Sequence, residues 1–138
     1  MAAKGTLLYG EAGGASSKDA SAFISKLLHG VTVAHMHHLM VTGPGSYAKH
    51  EALGDLYEGL ASAADTLAEA FIGCTGQALA FAGGTFEMSA DPVADVQKLY
   101  DYVETERKAM GTESHIQNEV DSVCTLLSST LYKLRRLA

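Results

Sequence analysis

Four side chains within one stretch of the chain could hold a metal ion: His38, His50, Asp65 and Glu69. Imidazole and carboxylate donors in that mixture suit iron, with zinc and manganese as alternatives. A Gly43-Pro44-Gly45 turn separates the first histidine from a long helical pattern that begins near Ser46. Asp65 and Glu69 are four residues apart, which puts both carboxylates on one side of that helix. His38 and His50 flank the turn and are expected close together. The acids lie 15 and 19 residues beyond His50, roughly 22 to 28 Å along the helix axis. Ligands sit about 2 Å from a metal, so one chain cannot bring all four to one ion. Two hairpins packed antiparallel about a twofold axis can, and symmetry then makes two equivalent sites.

Each of these residues also has an ordinary structural role open to it. A histidine on an apolar face, as His38 is, is commonly a core residue satisfied by a backbone carbonyl. Asp65 and Glu69 continue an acidic stripe through Glu51, Asp55 and Glu58 that reads equally as a solvated face. Helical projection places His38 near the centre of the apolar stripe, His35 on its margin and His37 well away from it, exposed. His29 and His115 have no partner at diagnostic spacing and read as structural. Tyr57 and Tyr100 fit a core, while Asp55 and Glu58 fit a surface. The turn glycines lack the Gly-Lys-Ser/Thr pattern of a phosphate loop, and no Ser/His/Asp set stands out.

The elements that must position the histidines are helical. Residues 1–16 are Gly- and Ala-rich without a usable period and read as a flexible arm; residues 17–138 read as a single domain. A first helix runs from near Ser17 to near Val41, with an apolar stripe of Phe23, Ile24, Leu27, Leu28, Val31 and Ala34. A second spans about Ser46 to Ile72, with Leu53, Tyr57, Leu60, Ala64, Leu67 and Phe71 inward, and Gly73 stops it. Residues 74–90 form a Gly-rich connection with room for a short helix. A third helix opens at Asp91-Pro92 and ends at Gly111. Thr112 caps a fourth, whose stripe is Ile116, Val120, Val123, Leu127, Leu131 and Leu134. No alternation points to strands. The short links make two antiparallel hairpins, and the long middle connection can cross back along the second helix. The expected fold is therefore all-α: a four-helix bundle of ferritin-like arrangement with one long crossover between helices two and three.

Composition excludes several functional classes. The chain has 138 residues and a formal net charge of −6, with Lys133, Arg135 and Arg136 as its one basic cluster. That balance argues against nucleic-acid binding through phosphate neutralisation. No apolar run approaches the ~20 residues of a membrane span, and the first residues lack a charged region followed by a long apolar run. Two cysteines, Cys74 and Cys124, make no disulfide framework and fit a reducing, cytoplasmic compartment.

The order His38, Gly43, His50, then Asp65-xxx-Glu69 resembles the Dps mini-ferritins. Ser46 to Leu60 (SYAKHEALGDLYEGL) is more closely similar to small Dps-like proteins of tailed phages. The similarity is sharp over roughly residues 34–73. It implies a dinuclear-type ferroxidase site shared between subunits, oxidising ferrous iron with peroxide or oxygen. It also implies a homo-oligomer of twofold dimers, with a dodecameric shell as its closed form, located in the cytoplasm, or in the host cytoplasm or virion if phage-encoded. This chain departs from that pattern at three places. Leu39 stands where the family usually has Trp, and Gly54 where it often has a further Asp ligand. The arm carries only Lys4, so DNA protection is not implied. Two other readings follow from these departures: a virion or accessory structural protein that keeps the bundle without the chemistry, and a zinc-stabilised bundle without redox activity.

Overall fold

The computed structural model describes residues 14–138, so most of the arm expected over residues 1–16 lies outside the described residues. Four α-helices make up the fold, with no strand among the described residues: α1 (Ser17–Met40), α2 (Ser46–Thr75), α3 (Pro92–Glu106) and α4 (Ser114–Arg136). Ser16 caps α1 by accepting from the Asp19 amide, and Asp91 caps α3 by accepting from Val93. Each satisfies a backbone donor that the first helical turn leaves without a partner.

Three boundaries differ from the sequence reading. Gly73 does not stop α2; the helix continues to Thr75 and ends at Gly76, whose φ of 68° supplies the left-handed turn. Gly73 is an ordinary helical residue outside positive φ. The third helix tightens after Glu106 into a 3-10 turn over Arg107–Met110 before Gly111 ends it. Thr112 does not cap α4; Glu113 occupies the cap position without a side-chain hydrogen bond. Arg107 holds this turn instead. Its guanidinium donates to Glu104 and Asp121 and, at 2.8 Å, to Gln117 Oε1. The Gln117 amide donates back to the carbonyls of Arg107 and Gly111.

The packing order follows from which helices touch. α1 lies against α2 and α3, and α4 lies against α2 and α3, so α1 and α4 stand on one diagonal. The rings of Phe23, near the start of α1, and Tyr102, near the end of α3, stack at 5.7 Å, so these helices run antiparallel. The Gly45 backbone abuts Ala138, and Asp55 pairs with Lys133 at 3.8 Å, so α2 and α4 also run antiparallel. Residues 76–91 return from the end of α2 along α1 without forming a helix. Ser17 and Ser21 hydrogen-bond Ala78 and Ala80 at one end, and Ser89 reaches Asp95 at the other.

The core fills the space between the four stripes. All six apolar positions read for α4 are buried. On α2, Leu53, Leu60, Ala64, Leu67 and Phe71 are buried with Leu56, and Tyr57 is half-buried. On α1, Phe23, Ile24, Leu27 and Ala34 are buried, whereas Leu28 is exposed. Among the described residues, no helix is long and apolar enough to cross a membrane.

Candidate metal centre at the α1–α2 turn

The last turn of α1 leaves carbonyls without a helical donor, and this end of the molecule uses one of them. His50 Nδ1 donates to the His38 carbonyl at 2.8 Å. His38 Nδ1 donates in return to the His50 carbonyl at 2.7 Å. The two rings stack at 3.6 Å between centroids, inclined by 20°. Gly54 makes this approach possible. A Cβ there would lie 3.2 Å from His38 Cε1 and 3.3 Å from its Nδ1. The position where the resemblance anticipates a carboxylate is thus occupied by the His38 ring itself.

A carbonyl oxygen only accepts, so Nδ1 carries the proton in both rings. In the neutral imidazole, each Nε2 then holds a lone pair, the state a metal requires. The backbone carbonyl expected to satisfy a core histidine is present on Nδ1 of each ring, and Nε2 is the nitrogen on which the ligand reading depends. Tyr57 closes the inner side: its ring meets His38 edge-on at 5.2 Å and stacks face-to-face on His35 at 4.0 Å. His35 is exposed beyond that stack.

Coordination geometry limits what the pair can hold. Two imidazoles on one tetrahedral ion, with bonds of about 2 Å, place their ring centroids roughly 5 Å apart. At the observed 3.6 Å spacing, both rings could bind a single ion only if they splay. Asp65 and Glu69 are exposed on α2, further along the helix, and the chain does not bring them to the histidines. Among the described residues of one chain, no group of three His, Cys, Asp or Glu side chains could hold a metal.

The structure reverses one histidine assignment. His37, expected to be exposed, is 2% exposed, and its Nε2 donates to Asp95 Oδ2 at 2.7 Å. The Ser89 amide donates to the same carboxylate at 2.9 Å. Burial acts to raise the Asp95 pKa, but hydrogen bonds from His37 and Ser89 outweigh it and hold the carboxyl below its ordinary value. The sequence does not mark Asp95, because its partner lies 58 residues away on another helix. The local signal, an acid in the first turn of α3, equally fits a favourable dipole interaction. His29 rests on the Phe86 ring at 5.4 Å, and His115 is exposed.

Both cysteine thiols are pushed above their ordinary range. Burial, and then the Glu104 carboxylate that accepts from its thiol, push Cys124 up to about 12. Burial and then Glu113 raise Cys74. Both favour the thiol over the reactive thiolate.

No curated protein and no solved structure matches the chain significantly. A family model matches residues 38–134, a span that begins at His38 and contains all four residues read as ligands. That span is well over half the chain, and the protein belongs to this family, DUF5856, a family of unknown function.

Proposed function

We propose that the protein is a ferritin-like, Dps-type metal-binding protein that takes ferrous iron as its substrate at a centre shared between two subunits. The observation that carries this reading is the reciprocal His38–His50 pair, whose Nδ1 anchors leave both Nε2 lone pairs available. The up-down-down-up helix order and the long crossover agree with a ferritin-like bundle. His38 and His50 of one chain would bind the metal, and Asp65 and Glu69 of the partner would complete the centre and could bridge two ions. Bound iron supplies the electrons that reduce oxygen or peroxide. The protein's own work is to hold the two imidazoles in one tautomer and to bring carboxylates across the interface. Exposed apolar side chains on the same hairpin, Met36 and Leu39 among them, offer surface for a twofold contact. Storage of the oxidised product follows if the oligomer encloses a cavity. Zinc or manganese would fit the same donors.

A second reading has its own support. Gly54 and Leu39 remove side chains that the chemistry elsewhere in the resemblance would use, and the His38 ring fills the space at Gly54. On that reading the protein is a structural component, of a virion or of the cell, with the bundle intact and the oxidation lost.

Subunit mixing decides between them. A His38→Ala/His50→Ala chain and an Asp65→Ala/Glu69→Ala chain should each lose bound metal as homodimers. Their heterodimer should regain one of its two sites, and with it ferrous oxidation above the buffer rate. A verified, folded heterodimer without metal would rule out the shared centre. Assembly of the His38→Ala/His50→Ala chain with normal partners, together with an absence of metal in the wild-type protein, would establish the structural reading.

A further inference from the structure

The crossover is fastened at two points and open between them. At its start, Ser17 Oγ donates to the Ala78 carbonyl, and the Ala80 amide donates to Ser21 Oγ at 3.0 Å. At its end, the Ser89 amide reaches both Asp95 oxygens, at 2.9 and 3.2 Å. Among the described residues, no backbone group of residues 81–88 hydrogen-bonds the bundle. Two weaker contacts bridge this interval: the Phe86 ring over His29, and an exposed Lys98–Glu87 pair at 3.4 Å. Gly83 and Gly84 sit in the middle, and an added Cβ on either would meet nothing within 4 Å.

Phe86 and Glu87 lie over a cavity of about 70 Å³ between α1 and α3, walled by His29, Gly30, His37, Leu56, Asp95 and Leu99. A drug-sized ligand needs roughly 300 Å³ or more; this space holds about two waters. Its lining includes Lys26, Glu87 and Lys98 at the rim and the His37–Asp95 pair, a hydrogen-bonded base and acid whose side chains are 2% and 13% exposed. Fixed ends, two adjacent glycines and a single aromatic contact describe a segment that can lift without disturbing the helices.

We infer that residues 81–88 are a hinged strap closed over this cavity, and that its release exposes the His37–Asp95 pair to solvent. The latch at Ser89–Asp95 stays fastened while the strap lifts, so the pair is uncovered intact.

Histidine-selective carbethoxylation of the full chain with diethyl pyrocarbonate, quantified at each histidine by mass spectrometry, tests this. Exposed His115 serves as the reference. In the wild type, His37 should react at least about ten times more slowly than His115. Phe86→Ala removes the contact that holds the strap down, in a side chain that is 39% exposed and outside the core, and should speed His37 several-fold. Gly83→Ala/Gly84→Ala restricts the lifted strap and should slow it by about two- to fivefold per glycine. Hydrogen exchange should show α2 and α4 as protected in Phe86→Ala as in the wild type. Equal reactivity of His37 and His115 in the wild type would overturn the inference. So would a His37 rate indifferent to both variants, or loss of α2 and α4 protection in Phe86→Ala.

Discussion

His37 and His38 are neighbours on one helix with opposite surroundings. His37 faces α3, is buried, and commits Nε2 to the Asp95 carboxylate. His38 faces α2, is half-buried, and commits Nδ1 to a backbone carbonyl, so its Nε2 is left over. The first is satisfied by a charge and contributes to the bundle. The second is satisfied by a neutral acceptor on its inner nitrogen, and its outer one is not consumed by the fold. Which nitrogen the fold consumes, more than how deeply the ring sits, separates a structural histidine from a candidate ligand.

The largest test of this contrast is stability. His37→Ala should remove a charge-assisted hydrogen bond, leave Asp95 with one partner fewer and open a void, at a cost of about 2–4 kcal/mol. His38→Ala should cost about 1 kcal/mol, the value of a neutral hydrogen bond at a half-buried position. Urea denaturation of the two variants and the wild type reads the difference directly. Equal losses would mean that both histidines serve the bundle alike, and the contrast would fail.

His37 lies inside although helical projection places it outside, and the reason is physical. Projection on an isolated helix allows one apolar stripe with one centre, and that centre fell on His38. α1, however, packs against α2 on one flank and α3 on the other. The buried arc is therefore wide, and His37 continues the α3 flank from Ala34. The centre of one apolar stripe does not locate the second flank of α1, and Asp95 carries no mark of its distant partner. Two neighbours do not by themselves blur a pattern: α4 also packs against α2 and α3, and its whole stripe is legible. Gly73 and Gly76 show a third kind of limit. Both glycines can end a helix, and composition does not say which adopts positive φ. The histidine pair across the turn was legible because its spacing is local; its mutual hydrogen bonds were not, since they depend on the space left at Gly54.

Acid should act on the His37 side of the contrast through Asp95. The Asp95 carboxyl titrates lower in the folded chain than its ordinary value, because the hydrogen bonds from His37 and Ser89 overcome the effect of burial. A carboxyl shifted in that direction stabilises the fold at pH values above its unfolded pKa, about 3.9. That contribution disappears as pH falls through the folded value. The wild-type unfolding free energy should therefore fall with acid below about pH 4. Asp95→Asn should be less stable at neutral pH and should show a shallower decline over the acid range. Parallel pH profiles for the two proteins would show that the Asp95 latch contributes no pH-dependent stability.

The smallest expected effect is the most local. Gly54→Ala sharpens the His38 side of the contrast because it disturbs the ring without removing it. The new methyl would stand 3.2 Å from His38 Cε1, closer than comfortable contact, so the ring must shift by a few tenths of an ångström. The ring is held by the His50 carbonyl on one edge and by the His50 ring on one face, so it yields only by lengthening the 2.7 Å hydrogen bond or loosening the stack. Against that strain, alanine in a helix interior is favoured over glycine by about 1 kcal/mol. The two effects are of similar size, and the melting temperature should move little. Metal affinity should not be spared in the same way. A displaced His38 ring frees its Nδ1 from the carbonyl, the tautomer is no longer fixed, and the Nε2 lone pair is no longer guaranteed. Binding of Co(II), followed by its visible absorption, should therefore weaken in Gly54→Ala while the fold holds. If affinity is unchanged and NMR shows the His38 ring displaced, the carbonyl anchor does not prepare the ligand, and the difference between His37 and His38 reduces to burial alone.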